Sequence, residues 1–471
     1  MSLEIQFLGA AQTVTGAKYI LQTGRAAVLV DCGFFQGRRQ ESNERNRNLG
    51  FDPASIDAVV LSHAHMDHSG ALPLLVKNGY SGAIYTTPAT RDLCAAMLLD
   101  AAFLQKADAR YINKVIERDG ADMRPVEPLY DETDVASVMQ QMVSLPYHRS
   151  IGIAPGVQLS FYDAAHVLGS AVVAIDVEHH GGTKRIIYSG DLGRAGLPIL
   201  RDPEVPSGGD FLILESTYGD RLHPPMQLMQ TKLKETIARV YARGGKVLIP
   251  AFALERAQEV LCALHSIYEA GDLPPIPIYI DSPLTVKITD VFMLHTESFN
   301  ADMRRRFQSG NSPFDFPNLV YVADQTESQA IDASSDPAII ISASGMCEGG
   351  RIVHHLKAAI GSERNAIVIV GFQAQHTLGR RIVERRPQVR IFGMEHNLRA
   401  EVVVLQGLSA HADQNELVEF AQSIRAQGNL QGVALVHGEI SAQTALRKRL
   451  EAANIGPVFI PQMGEIVGVP K

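Results

Sequence analysis

A β-rich chain interrupted by an α/β insert with a mainly parallel sheet is the fold class the sequence predicts, and three patterns predict it. Short apolar alternations occupy the chain up to Ser189. From about Phe211, strands alternate with amphipathic helices. Short strands then resume over the last 75 residues.

In order, Ile5–Leu8, Tyr19–Leu21 and Ala27–Asp31 read as strands separated by glycine-containing turns, and Ala58–Ser62 as a short buried strand. Residues 70–79 and 88–119 read as helices, the second starting at Pro88 and breaking near Asp119–Gly120. Strands return at 158–162, 171–177 and 185–189. The rhythm changes after Phe211–Leu214: helices at 227–242 and 254–270 alternate with strands at 247–250, 278–281, 338–342 and 367–370, and such alternation implies parallel pairing. The last stretch reads as short strands with one helix, through 414–426, 433–436 and 442–453. The expected organisation is a first domain in two pieces, 1–217 and 398–471, around an inserted domain at 218–397. Pro274–Pro277 and Phe314–Pro317 mark loops.

A chain of 471 residues suits two domains or one large domain with an insertion, and 46% hydrophobic with 20% charged residues is an ordinary globular composition. No window approaches the roughly 18 apolar residues of a membrane span, and the first ten residues read as a strand rather than a leader, so the expected location is the cytoplasm. The net charge of −8 excludes coating of nucleic acid by bulk electrostatics but not a local basic groove. Cys32, Cys94, Cys262 and Cys347 have no CxxC spacing and are expected to be buried thiols rather than a disulfide frame or a thiolate metal site.

The densest chemical signal is His63-Ala-His65-Met-Asp67-His68. Extended backbone sends His63 and His65 to one side while adjacent Asp67 and His68 diverge, so one loop can serve two metals. Imidazole and carboxylate without thiolate fit zinc first, with manganese or iron as alternatives. His166 and Asp191 each follow a predicted strand in a small-residue turn, and Asp31 ends a buried strand. Ser342–Arg351 is a glycine- and serine-rich turn between a strand and a helix. Its amides suit a phosphate, although Glu348 in its middle does not. Basic groups at Arg38–Arg39, Arg304–Arg306, Arg380–Arg381 and Arg385–Arg386 are each first read as solvated surface, and His354–His355 as structural.

These segments resemble the metallo-β-lactamase superfamily and, within it, the β-CASP nuclease branch, over essentially the full chain. The resemblance is carried by Val30-Asp31-Cys-Gly33, Ser62–Gly70, Ala165-His166-Val-Leu-Gly169, Tyr188-Ser-Gly-Asp191, Leu214-Glu215-Ser-Thr217, Leu408-Ser-Ala-His411-Ala-Asp413 and Leu435-Val-His437-Gly-Glu439. It implies an αββα sandwich with an inserted β-CASP α/β domain that closes over the metal site and leaves a channel between. It also implies two zinc ions per chain, one held by His63, His65, His166 and Asp191, the other by Asp67, His68, His437 and the same Asp191. Asp31 then fixes a ligand imidazole, Asp67 joins the catalytic set, and His411 is the general acid, oriented by Glu215 or by Asp413. Histidine at 437, where DNA-cutting branches tend to carry valine, implies a ribonuclease acting on single-stranded RNA to leave 5′-phosphate and 3′-hydroxyl ends, in endonucleolytic or 5′-exonucleolytic mode. It is similar to bacterial relatives of the messenger-RNA 3′-end cleavage subunit. Ser344, Gly345, Arg351, His376 and Arg380 are the phosphate-contact candidates. With few aromatics and no tryptophan, recognition of backbone and shape is expected over extensive base stacking.

Three rival readings stand beside this one, of which a DNA repair nuclease of the same fold is disfavoured chiefly by His437. A small-molecule thioester, lactone or lactam hydrolase needs neither the insert nor a dedicated acid, and a non-catalytic RNA scaffold need not keep all seven metal positions. A homodimer is the default assembly.

Overall fold

The computed structural model describes residues 2–470 apart from 38, 120–124, 225, 406 and 408. Arg38 of the first basic pair, Gly120 at the expected helix break and Leu408 lie outside the described residues. The chain divides into two compact units: Met1–Gly196, Asp202–Leu222 and His411–Lys471 form the first, Leu197–Arg201 and His223–Ala410 the second.

Among the described residues the first unit holds two seven-stranded mixed sheets. In spatial order one runs Ile466–Gly468, Glu4–Phe7, Tyr19–Gln22, Ala27–Val30, Ala58–Val60, Ile84–Thr86, Met142–Ser144. The other runs Val458–Phe459, Gly432–Val436, Phe211–Glu215, Gly182–Tyr188, Ala171–His179, Val157–Asp163, Ile151–Ala154. The period-2 alternation of strands sorts their side chains between two cores. Phe161, Val173, Ile186, Tyr188, Ile213 and Val436 face Phe7, Tyr19, Val28 and Val60 in the core between the sheets. The intervening Val172, Ile187, Leu212, Leu214, Val433 and Leu435 pack instead on Leu417, Phe420, Ile424, Leu446 and Leu450. Those last residues belong to two helices, Gln414–Gln427 and Ile440–Ala452, where the sequence predicts one. The second forms because Ala442, Leu446 and Leu450 recur at helical spacing and bury a common stripe against the sheet.

The second unit is built on a six-stranded sheet whose pairs are all parallel, numbered here β1 (Val247–Pro250), β2 (Ile278–Ile280), β3 (Leu319–Tyr321), β4 (Ile339–Ser342), β5 (Ala366–Ile369) and β6 (Glu401–Val404). Its spatial order is β3-β2-β4-β1-β5-β6. β1, β4 and β5 are buried along their whole length, the apolar run expected of strands covered on both faces. The sequence returns the chain to the first domain at 398, whereas β6 still pairs with β5, so the second unit continues to Ala410. All four cysteines are buried, and burial pushes the Cys32 thiol up to about 12.

No described helix is long and apolar enough to cross a membrane.

Candidate metal centre

The centre lies at the strand ends of the first unit. Past Ala58–Val60, the chain runs extended through His63 and turns into the short helix Met66–Ser69 at His65. That turn is pinned from behind: the amides of Ala17, Cys32 and Phe34 donate to the carbonyls of Asp67, His68 and Met66 at 2.8, 2.8 and 2.9 Å. Gly33 makes this possible, because a Cβ there would lie 1.6 Å from the Asp67 carbonyl oxygen. Gly193 plays the same part between the Asp191 and His166 turns, where a Cβ would meet the Ala165 carbonyl at 2.0 Å. Asp31, Ala165 and His437 take left-handed backbone (φ 56, 54 and 48°), a conformation that costs free energy in non-glycine residues and gathers at functional sites.

The seven expected ligand residues come together. Donor atoms of His63, His65, His166 and Asp191 lie within 4.8 Å of one another, and so do those of Asp67, His68 and His437. Asp191 stands between the groups. Its Oδ2 is 3.5 Å from His63 Nε2 and 3.5 Å from His166 Nε2, while its Oδ1 is 3.3 Å from His68 Nε2 and 3.4 Å from His437 Nδ1. His65 Nδ1 closes the first group at 3.1 Å from His63 Nε2 and 3.3 Å from His166 Nε2. Asp67 Oδ2 closes the second at 3.5 Å from His437 Nε2.

These residues fit a metal on three counts. Bonds of about 2.1 Å in a tetrahedron set donor atoms roughly 3.4 Å apart, and the contacts above cluster there. His68 Nε2, Asp191 Oδ1 and His437 Nε2 are buried and make no hydrogen bond among the described residues, a cost of about 1–3 kcal/mol each unless a ligand meets them. The protonation states of three donors also suit ligation, while at His68 burial is outweighed by Asp191 and Asp31, which raise the imidazole well above its ordinary range, so a metal there would displace a proton. Burial and neighbouring imidazoles hold His63 well below its ordinary range, burial brings His65 down to about 4, and burial of Asp191 is outweighed by His437, His68 and His63, which keep it ionised.

A supporting layer surrounds the donors. The Asp31 carboxylate takes His68 Nδ1 at 2.7 Å, the Ser62 amide and hydroxyl at 2.7 and 2.8 Å and the Tyr188 hydroxyl at 2.8 Å. His68 thereby turns Nε2 towards Asp191, the usual way an outer carboxylate orients a ligand imidazole. Ser62 Oγ also reaches His63 Nδ1 at 3.1 Å, and Thr217 Oγ1 reaches His437 Nδ1 at 3.1 Å. Ser62, Tyr188 and Thr217 are absent from the sequence-derived set; all three adjoin strand ends that carry a quoted motif, the one signal that points to them.

His411 stands beside the centre, Nδ1 at 4.0 Å from Asp191 Oδ2 and 3.0 Å from Glu215 Oε1. Burial alone would strip its proton, but the charge and hydrogen bond of Glu215, then Asp191 and Asp67, raise it to about 9. Glu215 is fully buried and also accepts the Leu192 amide at 2.7 Å, tying His411 to the Asp191 turn. Asp413, the other orienting candidate, accepts the Asn415 and Glu416 amides and caps the helix Gln414–Gln427.

The five phosphate-contact candidates all belong to the second unit. Ser344 Oγ accepts the Glu348 and Gly349 amides at 3.2 and 3.3 Å, closing its own turn, and Gly345 lies against Phe252. Arg351 is held by Asp281 Oδ1 at 2.5 Å and by the carbonyls of Val322 and Ala323. Arg380 pairs with Glu384 at 2.8 Å, and His376 is exposed. Glu348 turns away from its own loop to accept the Leu378 amide at 2.5 Å. Of the other basic residues, Arg306 pairs with Glu269 and Asp302, Arg305 with Asp302 and Arg386 with Glu384.

Comparison with known proteins matches residues 16–230 to the Metallo-beta-lactamase superfamily, 257–382 to the Beta-Casp domain and 395–461 to the Zn-dependent metallo-hydrolase RNA specificity domain. The chain is 38% identical over 462 residues to Ribonuclease TTHA0252 of Thermus thermophilus, covering 98% of both proteins. It belongs to the metallo-β-lactamase superfamily, in its β-CASP branch. This β-CASP protein is a metal-dependent hydrolase. It is also 32% identical over 458 residues to the Transcription termination factor FttA of Thermococcus kodakarensis, spanning 93% of this chain and 67% of that protein. Among solved structures, a protein of unknown function from Enterococcus faecalis shares the fold, with a TM-score of 0.54 at 13% identity over 99% of this chain and all of that one.

Proposed function

We propose that the protein is a zinc-dependent ribonuclease that hydrolyses single-stranded RNA, leaving 5′-phosphate and 3′-hydroxyl ends. The observation that carries this is the division of Asp191 between two donor groups with the His411–Glu215 pair alongside. His63, His65, His166 and Asp191 would hold one zinc, and Asp67, His68, His437 and Asp191 the other. Two such ions supply an activated water at neutral pH and offset charge on the phosphodiester oxygens.

The chain's own residues do the rest. Asp31 and Ser62 keep the ligand imidazoles aimed inwards, and the buried surroundings of Asp191 restrict bulk water. Departure of a ribose 3′-oxygen requires a proton, which lactams, lactones and thioesters need less. His411, kept protonated by Glu215, is placed to give it. Ser344, Gly345, His376 and Arg380 remain the proposed phosphate contacts, with Arg351 bracing the loop of Ser344 and Gly345 through Asp281. The name of the Thermus relative supports RNA as substrate, and the archaeal relatives, named transcription termination factors, favour transcripts as the RNA class.

The test is purified protein with Zn²⁺ and matched single-stranded RNA, single-stranded DNA and a lactam reporter, with metal content measured in parallel. RNA cleavage with 5′-phosphate ends and two zinc equivalents is expected; hydrolysis of DNA alone or of the lactam alone overturns the reading.

A further inference from the structure

The carboxyl edge of the second unit's sheet has a topological break at β1. From β1 the chain passes to β2 on one side, whereas from β4 it passes to β5, and from β5 to β6, on the other. Right-handed crossovers then carry the helix Arg256–Glu269 to one face and the helices Ile352–Ala359 and Leu378–Val383 to the other. The latter two share one core with Leu248 of β1, as that rule requires. The loop after β1 thus parts from both of its neighbours, and open α/β sheets place their ligand crevices at such a point.

Phe252 is two residues past β1, in that loop. Its ring lies against Gly345 from the loop after β4 and Gly371 from the loop after β5. A Cβ at Gly345 would come within 2.8 Å of the ring, and one at Gly371 within 3.6 Å. Despite those neighbours Phe252 is 38% exposed, and Phe372, next to Gly371, is 55% exposed. Exposed phenylalanine is uncommon in this molecule: only Phe103 and Phe392 join them among the described residues.

The loops bearing the rings are braced rather than loose. Gln373, itself buried, donates from Nε2 to the Gly345 carbonyl at 2.9 Å and the Gly371 carbonyl at 3.3 Å, and Gly379 donates to Met346 at 3.1 Å. Past Phe372 the same loop continues through Gln375 and His376, both exposed and polar. Apolar rings on fixed backbone, in loops that carry buried and exposed amides, match a ligand with flat apolar faces and polar edges. A protein partner would call for a continuous apolar patch.

We infer that Phe252 and Phe372 form a nucleobase-stacking platform that binds bases of the single-stranded RNA substrate. This rests on the RNA reading above. Stacking on two rings tolerates any base, so the platform adds affinity without sequence preference.

The test first establishes that the unaltered protein cleaves RNA; if it does not, the RNA reading fails before the platform is addressed. Phe252→Leu and Phe372→Leu keep apolar volume and remove the π face, while Phe252→Tyr and Phe372→Tyr keep it. KM is measured on intact RNA and on the same strand with single abasic ribose positions walked along it. The leucine variants should raise KM for intact RNA about 5- to 100-fold, with the loss falling on KM rather than kcat, and the tyrosine variants should restore it. At one abasic position the unaltered protein should show the same penalty and the leucine variants should add nothing to it. Unchanged KM in the leucine variants, as a protein-docking or purely structural surface would give, overturns the proposal. So does an equal loss on intact RNA and on every abasic strand.

Discussion

The first unit's centre and a cluster in the second unit use the same residue types, yet physically they are opposites. In the second, His355 is fully buried between two carboxylates, Nε2 at 2.7 Å from Asp281 and Nδ1 at 2.6 Å from Asp332, and Asp281 holds Arg351 with its other oxygen. There each imidazole nitrogen meets a carboxylate, and Arg351 meets Asp281 and two carbonyls. Around Asp191, imidazole nitrogens point at one another, and His68 Nε2, Asp191 Oδ1 and His437 Nε2 make no hydrogen bond among the described residues. Burial of histidine and aspartate is therefore no sign of a metal site; convergence of like donors with unmet capacity is.

The sharpest break of that contrast is Asp191→Ala, which removes the residue common to both groups: both metals and all cleavage should be lost, read by elemental analysis beside the RNA assay. On the proposed acid role, His411→Ala should lower kcat by about 10²–10⁴-fold while two metal equivalents stay bound; loss of metal would instead make it a ligand, as its grouping with Asp191 and His437 allows. In the second unit, Asp281→Ala leaves the buried His355 with Asp332 alone and Arg351 without its carboxylate, and should cost about 3–5 kcal/mol in chemical denaturation without altering metal content. Asp31→Asn keeps the shape but weakens the acceptor on His68, and metal affinity measured by chelator competition should fall about 10- to 100-fold.

The smallest effect concerns pH. Burial works against the charged His355, but Asp281 and Asp332 outweigh it and raise the imidazole to about 8, above the ordinary 6.5 of an unfolded chain. Its contribution is therefore complete below about pH 6.5 and is lost as pH rises through 8, a change of about 2 kcal/mol. The stability difference between the protein and His355→Gln should shrink by that amount from pH 6 to 9; a difference constant over that range would show that His355 is neutral throughout.

Much of the centre is legible in sequence because its candidate ligands are rare residue types crowded at strand ends: His63 to His68 announce it, and Asp191 and His437 each follow a strong apolar run. The supporting layer is not, since Ser62, Thr217 and Tyr188 are unremarkable in a strand or turn until a partner 31 to 220 positions away is in place. Arg351 illustrates the converse. Beside a glycine turn it reads as an anion contact, but Asp281, 70 positions earlier, takes it. Three-residue strands such as Ile84–Thr86 and Met142–Ser144 are too short for any periodicity and exist because a neighbour supplies their hydrogen bonds.

The shared carboxylate of Asp191 also bears on how the protein loads. With one oxygen facing each group, an ion bound on either side would hold the orientation that the other side needs, so the two ions proposed above would fill cooperatively. Singly occupied protein should be scarce at any metal concentration, and a chelator should take the pair together, making activity an all-or-none property of each molecule.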